Sequence, residues 1–227
     1  MMLSERYRPK AWTDFVGQPV VAEIEQACGD EWLFDGCGER WLFESDGIAG
    51  CGKTSAASVA ARALGCSDFA IERIDSRACT VADLRELSTS MHTYGCGGNG
   101  RRAFIIDEIQ YLGQACQRML LGLLENLPKH VIVIGTTTSV NWADDVDGLY
   151  SRWRRFRFRK PNAPDVAEHL ERIASALSLP IPSGFRFICY VQGKYGDGRS
   201  AGNNIRDAID GLPDALRRYK GRTVAAA

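Results

Sequence analysis

One octapeptide constrains this chain more than anything else in it: Gly47-Ile48-Ala49-Gly50-Cys51-Gly52-Lys53-Thr54, with Ser55 following. The pattern G-x-x-x-x-G-K-[ST] requires a strand before it and a helix after it. The flanks supply both, as an apolar run at residues 41–43 and an amphipathic stretch at residues 54–64. Glycines let such a loop wrap closely enough for backbone N–H groups to face phosphate oxygens, and the helix N-terminus adds a favourable dipole. Lys53 then reaches the β- and γ-phosphates, and the Thr54 hydroxyl ligates Mg²⁺. Gly47, Gly50, Cys51, Gly52, Lys53, Thr54 and Ser55 are therefore candidate nucleotide-binding residues.

A phosphate loop alone implies nucleotide binding; hydrolysis needs a second element. The apolar stretch Ala103-Phe104-Ile105-Ile106 ends in Asp107-Glu108 and provides it. Asp107 is placed to hold Mg²⁺, and Glu108, one residue further, to orient and polarise a water. Short apolar runs at residues 41–43, 71–74, 103–106 and 131–134 alternate with helical stretches at 54–64, 81–91 and 116–127. That beat predicts a parallel sheet covered on both faces, because parallel strands need crossover helices. Residues 154–159 alternate arginine with aromatic residues, the period-two signature of a strand with one buried face, and add a fifth strand.

Pro161 and Pro164 mark a boundary. An α/β domain is expected over residues 1–160 and a small helical domain over 161–227, with helices at 166–177 and 204–219, the latter interrupted near Pro213. A Gly-rich connection spans 193–203, and the tail from residue 221 is expected to fray. Lys plus Arg and Asp plus Glu both number 28, so overall charge selects no partner. No leader-like segment and no apolar run of about 18 residues occurs, which implies a soluble protein without a membrane partner, cytoplasmic, or nuclear in a eukaryote. The eight cysteines contain no C-x-x-C pair and are expected as buried, reduced thiols rather than zinc ligands.

Five landmarks in order carry a resemblance: Glu5-Arg6-Tyr7-Arg8-Pro9-Lys10, Asp14-Phe15-Val16-Gly17-Gln18, the phosphate loop, Ile106-Asp107-Glu108, and Ser151-Arg152. Over residues 3–160 the chain resembles the sliding-clamp loader AAA+ ATPases, the bacterial gamma/tau subunits and the replication factor C small subunits. The resemblance implies a P-loop AAA+ domain with a central five-stranded parallel sheet and a helical lid. It implies ATP and Mg²⁺ as cofactors, and as partners other clamp-loader subunits, a sliding clamp and primer-template DNA.

The resemblance also implies roles. Arg8, Val16 and Gly17 correspond to residues lining the adenine site. Thr138, with Thr137 one residue away, corresponds to the polar sensor facing the γ-phosphate. Arg152 corresponds to an arginine that reaches the ATP of a neighbouring subunit, though Trp153 stands where the family has cysteine. Arg206, in Gly202-Asn203-Asn204-Ile205-Arg206-Asp207-Ala208, corresponds to the lid arginine that contacts ATP in cis. Arg85 is a candidate DNA-phosphate contact, and Gln117 a candidate coupling residue between DNA and Glu108. The family's helical collar domain has no counterpart within residues 1–227, and the zinc module of the bacterial gamma subunit is absent between Thr54 and Ile71.

A DNA-dependent ATPase subunit of a clamp loader is the function these motifs favour. The alternatives are an ATP-binding scaffold subunit with negligible hydrolysis, and a different AAA+ DNA-remodelling ATPase for branch migration or helicase loading.

Overall fold

The structure, a computed structural model, describes residues 1–30, 37–140, 142, 148–193 and 204–225, with residues 220–225 as helical backbone. Five parallel strands form one sheet: β1 (Glu39–Glu44), β2 (Ile71–Asp75), β3 (Arg102–Asp107), β4 (Val131–Thr137) and β5 (Arg154–Arg157). Their order is β2-β3-β4-β1-β5, so the strand before the phosphate loop lies near the centre, beside β4. Its register pairs Glu44 with Thr137 of β4 and with Arg157 of β5.

The strands are buried on both faces, and the period of two assigns their side chains to two layers. Trp41, Phe43, Ile105, Ile132, Ile134, Phe156 and Phe158 face α2 (Val20–Cys28) and α3 (Lys53–Ala63). Leu42, Phe104, Ile106, Val131 and Val133 face α4 (Val81–Ser90) and α5 (Gln114–Glu125). Helix α3 presents Ala56, Ala57, Ala60 and Ala61, all fully buried, and these small side chains let its backbone approach the sheet beside the phosphate loop. Trp41, Phe43, Phe156 and Phe158 form an aromatic cluster with ring centroids 5.2–6.4 Å apart.

The C-terminal helices α6 (Ala163–Ala176), α7 (Phe187–Val191) and α8 (Ile205–Ala225) share a third apolar cluster around Leu170, Ile173, Phe185 and Leu212. The short N-terminal helix α1 (Leu3–Arg6) joins it: Leu3 and Tyr7 pack there, and Asp210 of α8 accepts from the Ser4 amide at 2.8 Å and its hydroxyl at 2.6 Å.

Three expectations change. Helix α8 runs through Pro213, where the sequence suggested an interruption, and on to Ala225. Proline removes one N–H from the ladder, but Leu212 and Leu216 on either side are buried and hold the helix against α6 and α7. All eight cysteines are free, yet Cys37 and Cys96 are exposed, because both lie in connections before strands rather than on packed faces. The helix expected at 116–127 is shifted to Gln114–Glu125. Residues 194–203, which hold most of the Gly-rich connection with Gly202 and Asn203, lie outside the described residues, as do residues 226–227.

Phe43 is fully buried among three aromatic rings. Phe43→Ala should lower unfolding free energy by about 3–5 kcal/mol, read as a lower urea midpoint with an unchanged m value.

Candidate functional site

The carboxyl ends of β1, β3 and β4 meet at one edge of the sheet, where ligands of open parallel sheets bind. Gly47, Gly50 and Gly52 all have positive φ (65°, 69° and 101°), a region that side-chain-bearing residues rarely adopt. A Cβ on Gly50 would also collide with the side-chain amide of Asn204, which immediately precedes α8. The loop delivers Lys53 into a buried position, its ammonium donating to Ser45 Oγ (2.7 Å) and the Ile48 carbonyl (2.8 Å). Only neutral acceptors hold this cation, and a phosphate oxygen is a stronger one.

Thr54 Oγ1 donates to Asp107 Oδ1 at 2.7 Å, joining the phosphate loop to the end of β3. Thr136 Oγ1 donates to the same oxygen at 2.5 Å and accepts from the Glu108 amide at 3.0 Å. Glu108 has φ 54° and ψ 50°, an uncommon conformation for a residue other than glycine, and it turns the chain sharply as β3 ends. Its Oε2 accepts from the Gln110 side-chain amide and from Thr138 Oγ1 (3.4 Å), and the same amide donates to Thr138 Oγ1 at 2.9 Å. The three threonines thus separate. Thr138 stands by Glu108, Thr137 turns its hydroxyl to the Ser139 carbonyl (2.9 Å), and Thr136 binds Asp107.

A cavity of about 280 Å³ extends from Thr54, Asp107 and Glu108 to the N-terminal arm and the C-terminal helices, and Thr138 does not line it. The loop wall comprises residues 49–55, and Asp107 and Glu108 form its floor. Tyr7, Arg8 and Val16 line the arm side, and His169, Ile205, Arg206 and Ile209 the helical side. Arg8 Nε donates to Ser55 Oγ at 3.1 Å. Burial lowers the Arg8 pKa, and the nearby cations Arg73 and Arg206 lower it further, while Glu5 and Asp107 oppose them. Positive charge is therefore crowded beside the loop, which favours an anionic ligand.

Gly17 and Gly47 do not line the cavity. Gly17 instead permits close packing of the arm on α6, since a Cβ there would sit 2.7 Å from Asp165 Oδ2. Gln117, Arg85 and Arg152 also lie away from it. Gln117 is buried and donates to the Leu112 carbonyl at 2.9 Å, leaving its Oε1 without a partner. Arg85 is exposed on α4. Arg152 ends a short turn and pairs with Glu125 at 2.9 Å, both side chains being about half exposed. Trp153 is buried in the core formed with Leu42 and Leu149.

Sequence reasoning passed over Thr136, Gln110 and His169. Only the position of Gln110, two residues past Glu108, offered a hint of its role.

The donor set fits a phosphate-bound Mg²⁺: a hydroxyl and a carboxylate, both hard oxygen donors, already converge from Thr54 and Asp107. No cluster of three or more His, Cys, Asp or Glu suited to a metal occurs among the described residues. Among those residues no helix is long and apolar enough to cross a membrane.

Residues 46–161 match the family described as "ATPase family associated with various cellular activities (AAA)", just over half of the chain. DNA polymerase III subunit tau of Bacillus subtilis is 25% identical across 92% of the chain and 38% of its own length. The replication factor C large subunit of Methanococcoides burtonii is 30% identical across 92% of the chain and 40% of its own length. The chain therefore spans about two fifths of these curated relatives. Among solved structures, a point mutant of Thermotoga maritima RuvB superposes with a TM-score of 0.70 at 20% identity, covering 98% of this chain and 68% of that one. A DNA polymerase III gamma subunit-related protein of the same organism gives 0.52 at 14% identity, covering 69% and 53%. These structural likenesses bear on the fold: a parallel sheet with a phosphate loop and flanking helices.

Two outcomes follow from the site's geometry. Thr136→Val removes a group that serves Asp107 and Glu108 together and should cost about 1–3 kcal/mol in urea unfolding, with Thr136→Ser largely restoring it. His169, held below its usual pKa of 6.5 by burial and by Arg172 against the opposing pull of Asp14, resists protonation when folded. The unfolded chain takes up that proton first as pH falls through about 6.5, so stability declines there by at most about 1.4 kcal/mol per pH unit. Thermal midpoints between pH 7.5 and 5 should flatten in His169→Gln.

Proposed function

The chain belongs to the AAA family of ATPases, and from that premise we propose that it hydrolyses ATP as one subunit of an assembly that loads a sliding clamp onto primer-template DNA. The observation that carries this reading is the placement of Glu108. It sits just beyond the Thr54–Asp107 contact, at the floor of a cavity whose wall is the phosphate loop. A nucleotide-binding scaffold needs no carboxylate there.

In this reading the triphosphate lies along residues 50–55, and the Lys53 ammonium exchanges Ser45 and Ile48 for phosphate oxygens. Thr54 and Asp107 would hold Mg²⁺, which when bound would supply positive charge to the phosphoryl oxygens. Glu108 polarises the attacking water, and Gln110 and Thr138 fix its carboxylate against rotation. Arg8 and Arg206 add positive charge from the arm and the helical side. Residues 161–227 serve as a lid, joined to the arm through Ser4 and Asp210. The nucleobase lies toward Tyr7, Val16 and His169.

Arg152 lies outside its own cavity and faces solvent, as a residue that completes the site of an adjacent subunit must. DNA is held through backbone phosphates, with Arg85 a contact and Gln117 linking α5 to the turn after Glu108 through the Leu112 carbonyl. The curated relatives, a DNA polymerase III tau subunit and a replication factor C large subunit, support clamp loading over other AAA roles.

Steady-state ATP hydrolysis, with and without primed DNA, tests the proposal. Primed DNA should raise turnover, and this stimulation should fall steeply with salt. Glu108→Gln should lower kcat at least about 100-fold while nucleotide still binds, and Arg152→Ala should lower it by about 10³. Turnover indifferent to Glu108→Gln would overturn the assignment.

A further inference from the structure

Glu44 ends β1 and is only 5% exposed, yet no step of the proposed reaction uses it. A carboxylate that deep needs partners. The Tyr150 hydroxyl donates to its Oε2 at 2.6 Å, and the Arg155 guanidinium lies 4.6 Å from the Tyr150 ring centroid and engages the same hydroxyl. Tyr150 begins the turn Tyr150–Arg152. Leu149 and Trp153 bracket that turn and are both buried, so it is pinned at three points while Ser151 and Arg152 remain exposed.

The residue after Glu44 is Ser45. Its amide donates to the Thr137 carbonyl at 3.0 Å, and its hydroxyl accepts from Lys53 Nζ at 2.7 Å. Two consecutive residues at one strand end therefore grip the lysine of the phosphate loop and the turn that carries Arg152. Within the protomer, a single peptide unit links these two grips.

We propose that Glu44 and Tyr150 form the mount that sets the reach of Arg152 into the neighbouring subunit's site, making Tyr150 a positioning residue for a reaction in a site it does not touch. The inference rests on the reading of Arg152 as a residue acting in trans. An arginine serving a phosphoryl group must arrive within a fraction of an ångström, because displacement of about 1 Å can cost about 100-fold in rate. Arg152 is exposed, and among the described residues its ion pair is a surface one with Glu125, which does little to fix the side chain. Its backbone must be fixed instead, and the short bond from Tyr150 to a buried carboxylate does so.

The test uses two full-length chains, each inactive alone. Glu108→Gln keeps Arg152 but lacks the water-activating carboxylate; Arg152→Ala keeps the carboxylate but lacks the arginine. Mixed, they turn over only at composite sites. Tyr150→Phe is then added to one chain or the other. On the chain donating Arg152 it should lower kcat about tenfold with KM for ATP unchanged. On the Arg152→Ala chain the loss should stay below about twofold. Equal losses in both placements, or none in either, overturn the mount. No turnover in the parent mixture overturns the trans reading, and the mount with it. If Tyr150→Phe lowers the thermal midpoint, Glu44→Gln, which keeps an acceptor for the hydroxyl, is tested in the same two placements. It should show the same asymmetry at smaller size, and a symmetric loss again overturns the mount.

Discussion

The Thr54 hydroxyl and the Asp107 carboxylate meet at 2.7 Å although 53 residues separate them. That contact requires β1 and β3 to end level with each other, with β4 between them to hold the spacing. Ladder register, the alanine face of α3 and the aromatic cluster beneath β1 all keep those strand ends aligned. Glu108 depends on the same alignment. Its uncommon backbone conformation persists because the Thr136 hydroxyl holds both its amide and the neighbouring Asp107. Strain of about 1–3 kcal/mol at such a residue survives only where the surroundings over-determine it.

Much of this was legible in sequence. The glycine spacing at residues 47–54 has one backbone solution, and apolar stretches of strand length between helical stretches leave a parallel sheet as the fold. Thr136 was not legible, because three consecutive threonines at a strand end differ only in which face the pleat gives them. Gln110 escaped for a related reason: its role depends on the turn that Glu108 makes. Pro213 misled because proline is a local signal, and the buried flanks at Leu212 and Leu216 are a tertiary one. Trp153, read as a departure, is buried in the core beside Leu42 and Leu149, a tertiary placement that no local pattern contains.

In the proposed reading the cavity receives the nucleotide, with positive charge on two sides, and Arg152 of a neighbouring subunit adds a further cation. Arg206 and Arg8 approach from α8 and the N-terminal arm, and Arg152 stands apart on an exposed turn. In that proposal one chain has two half-sites, one to receive nucleotide and one to serve a neighbour. Glu44 and Ser45 lie between the two, which lets one strand end feel both.

The central claim is that catalysis belongs to an interface between subunits. Specific ATPase activity measured over a dilution series tests it directly. If subunits complete one another, activity per chain falls toward zero as dilution separates them and rises to a plateau at high concentration. Activity per chain that stays constant down to the lowest concentration would mean that one chain holds a whole site, and would contradict the account.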